Sequence, residues 1–204
     1  MSEGNFVVIS RVIGTLVAKE IDRVEVATAG GVVYELDIPA SVYERLPGVG
    51  DDVQLHCALI GREDGLELFG FATELERRLF LRLQSASGVG PRLALTLLGS
   101  LAAERLIEAI RGRDLSRLQT VSGVGKKKAE RIVVELADKL DDMAGEAIAA
   151  RPEGARAEAA VRALVALGYT QSAAESAVRG ALKAVDGKGT DVEALVRRAL
   201  AGLS

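Results

Sequence analysis

The sequence predicts a multidomain chain, β-structured over its first third and helical thereafter. Three observations carry this. Between residues 6 and 71 apolar residues recur at every second position, the period of half-buried strands. From Thr73 the period becomes that of amphipathic helices. Within the helical part, Ser87-Gly88-Val89-Gly90-Pro91-Arg92-Leu93-Ala94 returns 35 residues later as Ser122-Gly123-Val124-Gly125-Lys126-Lys127-Lys128-Ala129.

In the first part, Val24 and Val26 alternate with Arg23 and Glu25. Val32, Tyr34, Leu36 and Ile38 alternate with Val33, Glu35 and Asp37, and Val53, Leu55, Cys57 and Leu59 with Gln54, His56, Ala58 and Ile60. With the runs 6–19 and 66–71 this makes five strands joined by short Gly- or Asp-containing turns. Five strands over residues 1–71 suit a small closed barrel of the OB type, a small open sheet being the alternative. Alternation turns His56 outward beside Gln54 and Cys57 inward to the core.

The repeated segments organise residues 72–140. Glycine takes left-handed backbone angles and lets the chain come close to another molecule, and Gly90 and Gly125 are read as such positions. Val89 and Val124 anchor the turns. Each following helix opens with unpaired N–H groups and a partial positive charge, which together favour a phosphate. Arg92 stands beside the first turn, Lys126 and Lys127 beside the second. The candidate phosphate contacts are therefore Gly88, Val89, Gly90, Arg92, Gly123, Val124, Gly125, Lys126 and Lys127. Two such turns suggest two grips on one duplex, the helix-hairpin-helix pattern of proteins that bind DNA without reading its sequence. Ordinary Gly-containing helix connections are the alternative, and the neighbouring cations weigh against them. Pro47-Gly48-Val49-Gly50-Asp51-Asp52 also holds Gly-Val-Gly, but two carboxylates and a strand-like run follow, so it reads as a plain turn.

The apolar sets Leu75, Leu79, Phe80, Leu83 and Leu106, Ile107, Ile110 supply further helices of this domain. Residues 141–155, with Gly145, Pro152 and Gly154, read as a linker whose Ala-rich middle can be helical. Residues 156–204 repeat the spacing i, i+3, i+4, i+7, i+8 three times, from Ala157, Ala174 and Val192. Gly168 ends the first of these helices, and Thr190 with Glu193 forms a capping box for the third. That is a three-helix bundle near the lower size limit for independent stability.

Charge is uneven. The net −3 divides into five basic against twelve acidic residues over 1–71, thirteen against eight over 72–140, and eight against nine over 141–204. Nucleic-acid affinity comes largely from counterions released by Lys and Arg, so the basic middle third is the expected DNA-facing surface. The last third lacks a basic cluster, which argues for a protein partner. A single cysteine excludes an internal disulfide. No apolar run suits a membrane span and the start lacks a secretory n-region, so cytoplasm is the expected compartment.

Catalytic equipment is sparse. His56 is the only histidine, and no Gly-x-x-x-x-Gly-Lys-Ser/Thr phosphate loop occurs. Aromatics make up 3% of the chain, poor supply for a base-flipping pocket or a stacking platform. Arg62-Glu63-Asp64-Gly65, between two strand-like runs, signals a tight hairpin with two acids at its tip. A solvated turn is one reading. The other is a tip that separates strands by repelling phosphates while the basic hairpins hold the duplex arms.

These motifs, in this order, resemble the RuvA family, the Holliday-junction-binding subunits of bacterial branch-migration complexes. Arg62-Glu63-Asp64 with Leu68-Phe69-Gly70-Phe71 is similar to the family's acidic-pin hairpin. Glu76-Arg77 with Leu79-Phe80 and Leu83 resembles the helix opening its middle domain, the two Gly-Val-Gly segments its hairpins, and Leu164-Val165-Ala166-Leu167-Gly168-Tyr169 a helix end of its C-terminal domain. Ser122 stands where Pro is common and Lys128 where Thr is common. Val8-Ile9 stands where the family typically begins, so residues 1–7 read as an extension or as an artefact of start-site choice.

The resemblance implies an OB barrel, a tandem helix-hairpin-helix domain and a tethered three-helix domain. It implies a homotetramer, sometimes an octamer, that flattens four-way junction DNA on its basic face with Glu63 and Asp64 near the crossover. The C-terminal domain would dock the hexameric ATPase RuvB, with Leu164, Leu167, Tyr169, Leu195 and Leu200 as candidate contacts, and RuvC would resolve the junction. No catalytic residue, metal or cofactor is expected in this chain. The competing class is a helix-hairpin-helix DNA-processing enzyme, a glycosylase or nuclease, whose candidate acids Asp138, Asp141 and Asp142 would be solvated at a helix end.

Overall fold

The computed structural model describes residues 8–62, 65–150, 152–183 and 192–201, in two compact units that divide between Ala144 and Gly145.

The first unit opens with five strands, β1 (Arg11–Lys19), β2 (Arg23–Ala27), β3 (Val33–Asp37), β4 (Asp52–Arg62) and β5 (Gly65–Phe71), with a short helix α1 (Ala40–Tyr43) between β3 and β4. They close a barrel in the order β1-β2-β3-β5-β4, antiparallel except where β3 meets β5. The period-two residues Val12, Leu16, Val24, Val26, Leu36, Val53, Leu55 and Cys57 fill its interior. Closure brings β1 so near β2 that a Cβ on Gly14 would lie 2.1 Å from the Ala27 carbonyl oxygen, so only glycine fits there. Val32, expected on the inward face, is instead exposed outside β3, because its carbonyl closes the β2–β3 turn by accepting from Thr28 N–H at 2.8 Å. Segment 47–52 is the plain turn expected, its Gly50 N–H donating to the Leu16 carbonyl.

Helices follow: α2 (Glu74–Leu83), α3 (Pro91–Ser100), α4 (Ala103–Arg111), α5 (Leu115–Leu118) and α6 (Lys126–Leu136). Thr73 begins α2 with a full capping box, its hydroxyl accepting from Glu76 N–H while the Glu76 carboxylate accepts from Thr73 N–H. Phe80 of α2 lies 4.8 Å, ring centre to ring centre, from both Phe69 and Phe71 of β5, so barrel and hairpin helices share a core.

Residues 141–155 are largely helical, in α7 (Asp141–Ala150) and the start of α8 (Pro152–Ala166). Alanines favour helix, and Asp141 and Asp142 complement the positive end of α7. Asp141 also pairs with Arg111 at 2.9 Å, and Asp142 with Arg78 and Arg82, each at 3.2 Å. Two of the three acids expected to be solvated, Asp141 and Asp142, are thus held by arginines of α2 and α4, while Asp138 is exposed as expected.

The second unit contains α8, α9 (Gln171–Lys183) and α10 (Val192–Ala201), packed around Ala160, Leu164, Ala174, Val178, Ala181, Leu195 and Ala199. Two expected docking residues are therefore corrected: Leu164 and Leu195 are core. So small a bundle spends its larger aliphatic side chains on its own interior. Leu200 is half-buried against the same core, and the positions open to solvent are Leu167, 62% exposed, and Tyr169. Both follow from the end of α8, where Gly168 at φ +97° lets Tyr169 N–H reach the Leu164 carbonyl and Gly168 N–H the Val165 carbonyl. Thr190 lies outside the described residues, and with it that expected capping box; the Glu193 carboxylate accepts from Arg197 at 2.8 Å. No helix among the described residues is long and apolar enough to cross a membrane.

Candidate nucleic-acid interface

The two Gly-Val-Gly segments fold alike almost angle for angle. Gly88 has φ +81° and Gly123 φ +80°, each the third residue of a turn closed by a 3.1 Å bond, Val89 N–H to the Ala86 carbonyl and Val124 N–H to the Val121 carbonyl. A positive φ at this turn position selects glycine. Val89 and Val124 are both buried, pinning the turns. Gly90 (φ −87°, ψ 174°) and Gly125 (φ −82°, ψ 174°) then cap α3 and α6 without any side-chain cap bond.

The last observation corrects an expectation. Gly90 and Gly125 are extended, a conformation open to any residue, and a Cβ on either would meet nothing within 4 Å. Backbone strain does not require glycine there. What glycine preserves is bare, accessible backbone beside the unpaired N–H groups of the first helical turn.

The hairpins brace one another. Ser87 N–H donates to a Glu135 carboxylate oxygen at 2.8 Å and Arg131 donates to the Ser87 hydroxyl at 3.3 Å, so α6 holds the first turn. In the other direction Leu93 of α3 lies 3.6 Å from the place of a Cβ on Gly123. Lys128 folds back to donate to the Gly123 carbonyl at 3.0 Å. Sequence reading missed Arg131 and Glu135. Their spacing of four puts them on one face of α6, but only packing shows what that face meets.

Some cations of residues 72–140 are already engaged and others are not. Arg78, Arg82, Arg105 and Arg111 are in ion pairs. Arg92, Lys126 and Lys127, exposed at the starts of α3 and α6, have no acidic partner among the described residues. Desolvated phosphate oxygens would complete such groups. Glu63 and Asp64 lie outside the described residues; β4 and β5 stay paired up to Arg62 opposite Gly65.

Little here suits catalysis. His56 is not the exposed residue expected: its Nδ1 lies 2.9 Å from a Glu74 carboxylate oxygen, because α2 covers that side of β4. Burial pushes the Cys57 thiol up to about 11, far from a reactive thiolate at neutral pH. Among the described residues no group of three or more His, Cys, Asp or Glu could hold a metal ion.

A five-stranded barrel sharing a core with two like-built Gly-Val-Gly hairpins, followed by a separate three-helix unit, defines a multidomain protein of the tandem helix-hairpin-helix class. Residues 80–138 match the SAM-like helix-hairpin-helix tandem, residues 9–70 the RuvA N-terminal domain and residues 155–204 the RuvA C-terminal domain. The chain belongs to the RuvA family. It is 45% identical, over 96% of its length and 98% of the relative's, to the Holliday junction branch migration complex subunit RuvA of Gemmatimonas aurantiaca. Identity to the subunit of the same name is 43% in Acidobacterium capsulatum, covering 92% of this chain and 95% of the relative. It is 42% in Neisseria meningitidis, covering 96% and 98%.

Proposed function

We propose that this chain binds four-way DNA junctions by shape rather than sequence and brings a hexameric ATPase, RuvB, to them for branch migration in recombination and repair. The observation that carries the reading is the pair of near-identical hairpins, each presenting bare glycine backbone, an open helix N-terminus and cations without acidic partners. Such groups meet phosphates, which position a duplex but carry no base code. The chain acts as a homotetramer or octamer, so that hairpins repeat around the four arms, and RuvC works in the same assembly. It is a non-catalytic subunit needing no cofactor, the ATPase residing in the partner. The partner docks on the second unit, through the exposed Leu167 and Tyr169 and the edge near Leu200.

Glu63 and Asp64 act by repulsion, at a hairpin tip in the acidic third of the chain. A gel shift comparing a four-way junction, a linear duplex of the same sequence and single strands tests the whole reading. Wild type is expected to prefer the junction. Replacing Glu63 and Asp64 together by Gln is expected to leave junction binding equal or tighter and to lower the junction-to-duplex ratio. Equal wild-type affinity for junction and duplex would overturn the reading, and an unchanged ratio in the variant would return the two acids to an ordinary solvated turn.

Lys126→Ala combined with Lys127→Ala is expected to weaken binding to all DNA. It should flatten the log–log salt dependence by about 0.9 per lost phosphate contact, about 1.8 for both. Both side chains are exposed, so thermal stability should be unchanged. Wild-type affinity and slope in this variant would remove the second hairpin from the interface.

A further inference from the structure

We infer that Arg77, with Glu74 and His56, is a positioning element for junction selectivity: it fixes the angle between the β4–β5 hairpin that carries Glu63 and Asp64 and the helix that leads to the first phosphate grip. The inference rests on the junction-binding reading above.

The geometry lies at the root of α2. Arg77 Nε donates to the Cys57 carbonyl at 2.6 Å, and its Nη1 to a Glu74 carboxylate oxygen at 2.7 Å. The other Glu74 oxygen lies 2.9 Å from His56 Nδ1. Arg45, just beyond α1, pairs with Glu76 of the same helical turn. The side chains of Arg77 and His56 are only 10% and 13% exposed. One turn of α2 is thereby bonded to two successive residues of β4 and to the barrel's connecting segment.

The place of this network gives it its role. From His56 opposite Phe71, β4 runs fully paired with β5 to Arg62 opposite Gly65. Six residues of strand span roughly 20 Å at about 3.3 Å each. In the other direction α2 runs on to Leu83 and directly into the turn that holds Gly88. A rotation of about 5° at the root would carry the Arg62–Gly65 end of the ribbon roughly 1.7 Å, over half the length of a hydrogen bond. The Phe69–Phe80 and Phe71–Phe80 contacts hold helix and sheet together, but ring pairs tolerate a broad range of tilts and offsets. Hydrogen bonds do, and the fixed fork of a guanidinium meets two acceptors at a set angle where an ammonium would not. The aromatic cluster supplies cohesion and the Arg77 network supplies orientation.

The test uses the full chain. Junction and linear-duplex affinities are measured at one salt concentration, with melting curves, for Arg77→Lys, Glu74→Ala and His56→Leu. The last two leave the Arg77 side chain in place and so guard against misfolding of the Arg77 variant. The expected result is a junction-to-duplex ratio reduced at least fivefold in Glu74→Ala and Arg77→Lys, with duplex affinity within twofold of wild type, because the phosphate grips themselves are untouched. Folded variants that keep the wild-type ratio, or that lose junction and duplex affinity in parallel, would overturn the inference alone. A wild-type protein without junction preference would overturn the functional reading beneath it.

Discussion

Replacing Gly90 and Gly125 together by valine is expected to weaken junction binding about 100-fold while the protein stays folded. Both glycines are extended and their missing β-carbons face open space, so valine fits the free protein. The cost to the fold is that of a poorer helix cap, about 1 kcal/mol per site and a few degrees in Tm. On the proposed reading that open space is where the phosphate comes in the complex, and an isopropyl group would hold it away from the N–H groups. Two charge-assisted hydrogen bonds lost at about 1.5 kcal/mol each give the expected factor. Gly88→Val with Gly123→Val is the contrasting pair. Their φ of +81° and +80° makes any side chain strained, so stability and binding should fall together. Titration of a labelled junction alongside thermal melting separates the two cases. Junction affinity within threefold of wild type in the Gly90/Gly125 variant would show that DNA does not approach these turns.

Ending the chain after Ala144 is expected to separate two activities. The first compact unit closes at that residue. Its last part, the beginning of α7, is tied down through Asp141 and Asp142, so the cut leaves those contacts in place. Residues 1–144 should retain oligomerisation and junction binding at wild-type affinity. Motor-driven branch migration should be lost altogether, because on the proposed reading the motor docks on the second unit and itself carries the ATP site. Tethering raises the effective concentration of a docked partner, so adding the separate C-terminal unit back should restore little. Wild-type migration by the truncated protein, measured with the purified motor and ATP, would remove the second unit from motor docking.

How much was legible in the sequence follows the range of the forces. Barrel strands declared themselves because each is half-buried, and a period of two records which face is wet. The hairpins declared themselves because a turn with positive φ selects glycine locally, and because one solution appears twice. Which glycine of each pair needs the angle was misplaced: sequence shows two glycines, and only the backbone shows that Gly88 and Gly123 bend while Gly90 and Gly125 lie extended. Two of the five expected docking residues, Leu164 and Leu195, were misplaced for a related reason. A helical apolar stripe looks the same whether it meets its own bundle, as Leu164 and Leu195 do, or a partner.

By itself, then, the sequence determined the order β then α, the two phosphate-type turns, the basic middle third and the family to which these belong. All of these are set by residues close in the chain or by composition. Tertiary structure alone decided that His56 leaves the surface to meet Glu74, that Arg77 crosses from α2 to the Cys57 carbonyl, and that Glu135 holds the turn at Ser87. Each partner pair stands 18 or more residues apart along the chain. Such a bond leaves no periodicity behind, because it depends on how whole elements pack and not on what any one element needs.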